Sequence, residues 1–278
     1  MSAIFESSRW RLVITPPLPG AMNMAVDEAI LEAAGGGDVP PTLRLYAWEP
    51  ACLSLGYAQP YTDVFLPGLA AHGWELVRRP TGGRAILHVD ELTYSVCGPH
   101  DEPRLAGSVL DSYRVLAGAL LRALHMLDIP AQANEKSRQN ASSQAQNPVC
   151  FEAPSNYEII VQGKKLVGSA QRRSKDGVLQ HGSLPLCGDL SRITLALAFP
   201  NEQERRTAAQ RLLQRAATAE MILGRPLAWE QAAQAFAAAF ADELNLEFIR
   251  ADLTEAELQR AEQLLEERYA NPGWMQRS

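Results

Sequence analysis

Between Thr42 and Leu186, outside one long helical stretch, the chain changes conformation every few residues. Short apolar segments end repeatedly at glycine, proline or a polar pair, and this restricts the fold more than any other feature. Thr42–Trp48 and Ala51–Gly56 read as two strands around Glu49-Pro50, and Trp74–Arg78 as a third, short one. Ala85–His88 and Leu92–Val96 read as extended after the polar, glycine-containing turn Pro80–Arg84. Tyr157–Val161 and Lys165–Ala170 flank Gln162-Gly163, which suits a hairpin, and Val178–Leu186 predicts a further strand. Helices interrupt this pattern. In Ala21–Ala34, Met22, Val26, Ile30 and Ala33 recur at helical spacing before Gly35-Gly36-Gly37. Ser108–Asp128 carries Val109, Tyr113, Leu116, Leu120, Leu124 and Leu127 on one side, with Pro130 just past its end. From Asn201 to Tyr269 the pattern is helical and Ala-rich, as in Gln231–Leu244. An α/β (α+β) fold follows, with a mixed sheet flanked by helices and a helical C-terminal part. Residues 1–278 read as one domain, with a core over about 10–200 and a helical region over about 201–270.

Of the 278 residues, 46% are hydrophobic and 21% charged, so a sizeable core is available and disorder or a collagen-like repeat is excluded. The net charge of −6 argues against a bulk nucleic-acid binder. Its basic residues are 22 Arg and only 4 Lys, and Lys136, Lys164, Lys165 and Lys175 all fall in one stretch. Residues Glu135 to Lys175 sum to +4, leaving −10 elsewhere, so this stretch is either a patch that steers an acidic partner or a solvated hairpin. Within it, Asn134–Asn147 is a Gln-, Asn-, Ser- and Ala-rich segment that reads as a loop. Cys52, Cys97, Cys150 and Cys187 form no Cys-x-x-Cys and no zinc pattern. The N-terminus shows Glu6, Arg9 and Arg11 and no apolar h-region, so no signal peptide is expected. No run approaches the ~18 apolar residues of a membrane span. A cytoplasmic protein with free thiols is the expectation.

Three constellations carry chemistry-bearing residues. In Arg78-Arg79-Pro80-Thr81-Gly82-Gly83-Arg84, followed by His88, paired glycines let backbone N–H groups approach a carbonyl or phosphate oxygen, with arginines adding charge. A tight turn with exposed arginines explains the same residues. It is neither the phosphate-loop nor the dinucleotide pattern. In Pro148-Val149-Cys150-Phe151-Glu152-Ala153-Pro154-Ser155, Cys150 follows the polar loop and shares the basic stretch, and cations raise the thiolate fraction of a thiol. A nucleophile and an inert thiol both fit Cys150, whereas Cys52 and Cys97, inside apolar strands, read as buried small hydrophobes. In Gly163-Lys164-Lys165-Leu166-Val167-Gly168-Ser169, strand alternation puts Lys165, Val167 and Ser169 on one face and Lys164 on the other, towards water. His181, in Gln180-His181-Gly182-Ser183, fits either a site residue or an ordinary strand histidine.

Taken together, RRPTGGRAILH (78–88), ELTYSV (91–96), CFEAPSNYEI (150–159), GKKLVGSAQRR (163–173) and LQHGSLPL (179–186) resemble the lipoate-protein ligase and octanoyltransferase superfamily, most of all its LipM-type octanoyltransferases. The resemblance runs from about Trp10 to Leu186 and weakens through the C-terminal helices. It implies the biotin/lipoate protein ligase-like catalytic fold. It also implies transfer of an octanoyl group from octanoyl-acyl carrier protein to a lipoyl-domain lysine, such as that of the glycine cleavage H protein, in lipoate biosynthesis. By resemblance Cys150 carries the acyl group as a thioester and Lys165 assists it. Arg79, Gly82, Gly83, His88, Gly168, Ser169, His181 and Gly182 bind substrate. No metal, cofactor, nucleic acid or membrane is implied, and a monomer is expected. Arg84 stands where the superfamily's ligases commonly carry a third glycine, and those ligases generally lack the cysteine of CFEAPS. An ATP-dependent lipoate or octanoate ligase and an amidotransferase passing octanoyl between lipoyl domains are the alternatives.

Overall fold

The computed structural model describes residues 5–135 and 157–277. In chain order its elements are β1 (Ser8–Ile14), α1 (Gly20–Gly36), β2 (Thr42–Tyr46), β3 (Cys52–Leu55), α2 (Leu66–His72), β4 (Glu75–Arg78), β5 (Ile86–His88), β6 (Glu91–Gly98) and α3 (Val109–Met126). They continue with β7 (Gln132–Glu135), β8 (Tyr157–Val161), β9 (Lys164–Ser174), β10 (Gly177–Pro185), α4 (Glu202–Arg215), α5 (Ala219–Leu223) and α6 (Trp229–Leu244). The last are β11 (Leu246–Arg250), α7 (Glu255–Leu264), a π-helical turn Leu265–Tyr269, and α8 (Pro272–Met275). Among these residues no helix is long and apolar enough to cross a membrane.

Eight strands form one mixed sheet in the order β11-β1-β2-β6-β10-β9-β8-β7, and β4-β3-β5 form a second, three-stranded sheet. β2 and β3, adjacent in sequence, therefore belong to different sheets. The large sheet is buried on both faces. On one, Leu92, Tyr94 and Val96 of β6 and Val178 and Leu184 of β10 pack against Leu116, Leu120 and Leu124 of α3 and Phe236 and Phe240 of α6. On the other, α1 lies across β6 and β10 and is covered in turn by α7, with Met24, Ile30, Leu31, Cys97, Leu179 and Leu264 sharing one core. The small sheet packs with Ile193, Leu212 and Ala216 into a third cluster.

Local sequence explains the boundaries. Ser108 caps α3 reciprocally with Asp111, and Thr254 caps α7 with Glu257 in the same way, each satisfying backbone donors the first turn leaves free. Gln162 and Gly163 both take positive φ, 50° and 77°, the geometry a tight two-residue hairpin demands. The expected loop at Asn134–Asn147 begins differently: Asn134 and Glu135 close β7, and 136–147 lie outside the described residues.

Candidate active site

The glycine-rich segment joins β4 to β5, but these strands are not neighbours, because β3 lies between them. The segment is therefore an arch over the end of β3 rather than the tight turn between two strands that the sequence suggested. Its underside is glycine by necessity, since a Cβ on Gly56 would stand 1.9 Å from the Gly83 carbonyl oxygen. Arg79 stiffens the arch from within. Its guanidinium, buried, donates to the carbonyls of Gly82, Arg84 and Ser54 and to Ser54 Oγ, over 2.7–3.2 Å. Arg78 anchors the root of the arch to the far end of the chain. It donates to the carbonyls of Gly56, Tyr57 and Gln59 on one side and of Met275 and Arg277 on the other, while Trp274 Nε1 donates to the Arg78 carbonyl at 2.9 Å.

Beneath the arch lies a cavity lined from both sheets and from α1. Met24, Tyr46, Trp48 and Ile86 make its apolar side, and Gly83, His88, Gly168, Ala170, His181 and Ser183 are among the residues that complete it. Two histidines border it, each with a fixed ring. His88 stacks on Trp48 with ring centroids 3.9 Å apart, its Nδ1 2.7 Å from Glu91 Oε1 and its Nε2 2.7 Å from Ser54 Oγ. His181 places Nδ1 3.4 Å from Asp27 Oδ2 and Nε2 2.6 Å from Thr81 Oγ1 in the arch. Burial, the largest influence, holds His181 below the usual histidine value, so the ring is neutral near pH 7; Nδ1 donates to Asp27 and Nε2 accepts from Thr81. Asp27 is wholly buried, which by itself would raise its pKa. Hydrogen bonding to His181 and the Arg44 guanidinium reverse this and hold it below the ordinary carboxylate value. Its carboxylate also accepts from Arg44 Nη1, Tyr46 Oη and Ser95 Oγ, each at 2.8 Å. The chain Asp27–His181–Thr81 thus ties α1, β10 and the arch together.

Lys165 faces the same side of the sheet, for a reason the strand pattern did not reveal. Val167 pairs with Ile159 but Lys165 pairs with Ile160, so a β-bulge at Leu166 puts Lys165 and Val167 on opposite faces. Val167 turns with Ile159 into the core under α3, and Lys165 turns to the cavity side. The expectation that Lys165, Val167 and Ser169 share a face is corrected accordingly. Lys165 is buried, with Nζ 3.7 Å from Glu158 Oε1, itself buried. Lys164 does not reach into water freely. It is half-buried, and its Nζ donates to the Leu213 carbonyl near the end of α4 at 2.8 Å.

The predicted binding residues thus converge in part. Arg79, Gly83, His88, Gly168, Ser169, His181 and Gly182 border the cavity. Gly82 is an exposed part of the arch with open space where a side chain would be. Ser169 shares its hydroxyl with Tyr94 at 2.8 Å. Gly182 is fixed by packing, since a Cβ there would lie 2.4 Å from the Gly168 carbonyl and 2.8 Å from the Tyr94 ring. Cys150, with the rest of CFEAPS, lies outside the described residues. Cys52 and Cys97 are buried as expected, and burial pushes both thiols well up. Cys187 is raised too, by burial and then Asp90. Within the basic stretch, Lys165 and Arg172 face the carboxylates of Glu158 and Glu28, while Lys164 and Arg173 donate to the carbonyls of Leu213 and Leu105; Lys136 and Arg138 lie outside the described residues. Asp27, Thr81 and Glu158 went unnoticed in the sequence. The available signal was a carboxylate on the apolar side of a helix for Asp27, and membership of the motifs 78–88 and 150–159 already singled out for Thr81 and Glu158.

The fold places the molecule among the lipoate ligase-like structures. It superposes on a lipoate-protein ligase A bound with ATP with a TM-score of 0.80 at 24% identity, covering 97% of this chain and 99% of that one. A bipartite lipoate protein ligase from Thermoplasma acidophilum gives 0.79 at 24% identity, covering 98% and 97%. The profile of the lipoyl protein ligase A/B catalytic domain matches residues 19–241, and the chain belongs to that family. Among its relatives, the octanoyltransferase LipM of Brevibacillus brevis is 40% identical over 96% of this chain and 98% of its own length. That of Kyrpidia tusciae is 42% identical over 92% and 94%, and that of Symbiobacterium thermophilum 40% over 97% and 99%.

Proposed function

We propose that this chain is an octanoyltransferase of lipoate biosynthesis, moving the acyl group from octanoyl-acyl carrier protein to the lysine amine of a lipoyl domain through a thioester on Cys150. The near-full-length likeness to relatives named octanoyltransferase LipM carries this reading. The apolar side of the cavity, Met24, Tyr46, Trp48 and Ile86, suits an acyl chain. In the first half-reaction the Cys150 thiolate attacks the carrier's thioester carbonyl; a carbon–sulfur bond forms to Cys150, the carbonyl's bond to the carrier sulfur breaks, and the carrier leaves as its thiolate, which takes a proton from water. In the second, the acceptor lysine attacks the acyl-cysteine, an amide forms, the amine gives up a proton and Cys150 is released. Splitting the transfer in this way means the two protein substrates need not dock together. Lys165 supplies the positive charge that favours the Cys150 thiolate, and Glu158 holds that ammonium in place. Gly83 and Gly168 bring backbone to the cavity where the carbonyl oxygen gathers charge. Arg79 and the Asp27–His181–Thr81 chain hold the arch in shape while the carriers exchange. The protein works as a monomer in the cytoplasm, with no metal or nucleotide.

Incubation with octanoyl-acyl carrier protein, without ATP or magnesium, is expected to give one octanoyl adduct on the Cys150 peptide. The adduct should be released by hydroxylamine or by added lipoyl domain, and be absent from Cys150→Ala. Efficient use of free octanoate plus ATP with the carrier thioester ignored would favour a ligase. Acylation only from an already octanoylated lipoyl domain would favour the amidotransferase. Near-normal turnover by Cys150→Ala would overturn the covalent route.

A further inference from the structure

The cavity contains one hydroxyl that the fold does not use. Ser183 is 1% exposed, borders the cavity, and its Oγ is a buried side-chain atom without a hydrogen-bond partner. Such orphans are rare in folded proteins, because an unsatisfied buried hydroxyl is costly and an adjacent strand or loop usually supplies a partner. The other polar residues nearby are answered. Thr93, directly opposite Ser183 on β6, gives its hydroxyl hydrogen to Glu91 and accepts from Trp48. His181 is engaged at both ring nitrogens. Ser183 alone among these has a donor to offer.

Its position along the strands says what it would meet. On β10 and β9, His181 pairs with Ala170 and Ser183 with Gly168. Beyond Gly168, past the bulge, comes Lys165 on the same face. Ser183 therefore stands between the inner end of the cavity, where His181 meets Asp27, and Lys165. A ligand with its alkyl chain against Met24 and Tyr46 and its reacting end towards Lys165 passes its first carbons by Ser183 and Gly168. We infer that Ser183 is a substrate-contacting residue, its Oγ–H donating a hydrogen bond to the carbonyl oxygen of the bound acyl group. This assignment rests on the acyl-transfer reading above. Ser183 keeps its proton throughout and forms no covalent bond. The hydrogen bond strengthens as the carbonyl oxygen gathers negative charge, which makes it a transition-state contact as well as a binding one.

Ser183→Ala tests this, because an orphaned hydroxyl and a ligand contact respond in opposite ways. Removing an unsatisfied buried polar atom should leave the thermal midpoint of the free protein unchanged or higher. The rate of single-turnover octanoylation by octanoyl-acyl carrier protein should fall roughly 100- to 1000-fold, the range for a lost carbonyl-oxygen donor. Ser183→Thr should restore most of it, since the hydroxyl is retained. Isotope-edited infrared spectra of the acyl-enzyme, formed with a ¹³C-labelled carbonyl, should show the stretch move to higher frequency in Ser183→Ala as the hydrogen bond is lost. An unshifted band with an unchanged acylation rate would overturn the assignment, as would a Ser183→Ala variant that is destabilised and loses activity only in proportion. If instead the wild-type protein takes no octanoyl group at all, the acyl-transfer reading fails.

Discussion

Replacing Asp27 by Asn leaves the shape of the side chain and removes its charge. The carboxylate faces Arg44 Nη1 at 2.8 Å, and both side chains are fully excluded from water. Neutralising one partner strands the other, and a stranded buried charge costs roughly 3–5 kcal/mol, well beyond the ~1 kcal/mol of an ordinary hydrogen bond. Arg44 keeps contacts with Asn23 Oδ1, the Asn23 carbonyl and Thr15 Oγ1. These polar neighbours put the expected loss at the lower end, about 3 kcal/mol, or a fall in thermal midpoint of roughly 6–10 °C for a domain of this size. Urea unfolding followed by far-UV circular dichroism reads the change, with an unaltered slope showing that only stability moved. The decisive comparison is Asp27→Asn with Arg44→Met. If the cost lies in the stranded charge, the double variant is less destabilised than the sum of the singles by about 2 kcal/mol or more. Additivity within ~0.5 kcal/mol would refute the argument.

Lys165→Ala should lose about 10²–10⁴-fold in transfer rate, while Lys164→Ala, which gives up only a hydrogen bond to the end of α4, should lose less than about 1 kcal/mol of stability and little rate; steady-state kinetics of both variants with equal losses would contradict the bulge argument. Gly56→Ala should disturb the arch, because its methyl would occupy the space of the Gly83 carbonyl, and loss of acylation with a melting point lowered by several degrees is the expected result. The lowered pKa of His181 makes its contribution to stability complete above the usual histidine value of 6.5 and lost as pH falls below it; the matching loss for Asp27 starts only below 3.8. Unfolding free energy measured from pH 7.5 to 5 should therefore decline in the wild type, and more steeply than in His181→Gln.

The sequence was most legible where one residue type has one physical use. Gln162-Gly163 between two apolar runs could only be a hairpin turn, and Ser108 with Asp111 marks the start of α3. Periodicity could not say which sheet a strand enters: β2 and β3 read as two strands around Glu49-Pro50, and they belong to different layers. The same limit hid the arch: the distance from Arg78 to Ile86 along the chain is that of a turn, and only the insertion of β3 makes it a span. Alternation put Lys165 on the face of Val167 and Ser169, and the structure puts it on the other, because a one-residue bulge reverses every facing beyond it and leaves no mark in composition. Arg79 and His181 were named as candidate site residues, yet the bond from His181 to Thr81 in the arch spans 100 positions. Asp27 lies 154 positions from His181, beyond the reach of any local pattern.

The anchorage of Arg78 fixes an order of events during synthesis. Its guanidinium bonds span 197 and 199 positions to Met275 and Arg277, so the β4–arch–β5 segment emerges from the ribosome long before the groups that hold its root. Until those carbonyls arrive, Arg78 is a charged side chain without half of its acceptors, and the small sheet cannot bury it without leaving donors unsatisfied. The junction between the two sheets therefore closes only after Met275 and Arg277 have been made. A nascent chain that has not yet released Met275 and Arg277 can form much of its large sheet while its cavity roof stays unfastened. Such a species would present the apolar lining of Met24, Trp48 and Ile86 to the cell, and chaperone capture or proteolysis at the arch would compete with the docking of Met275 and Arg277 for it.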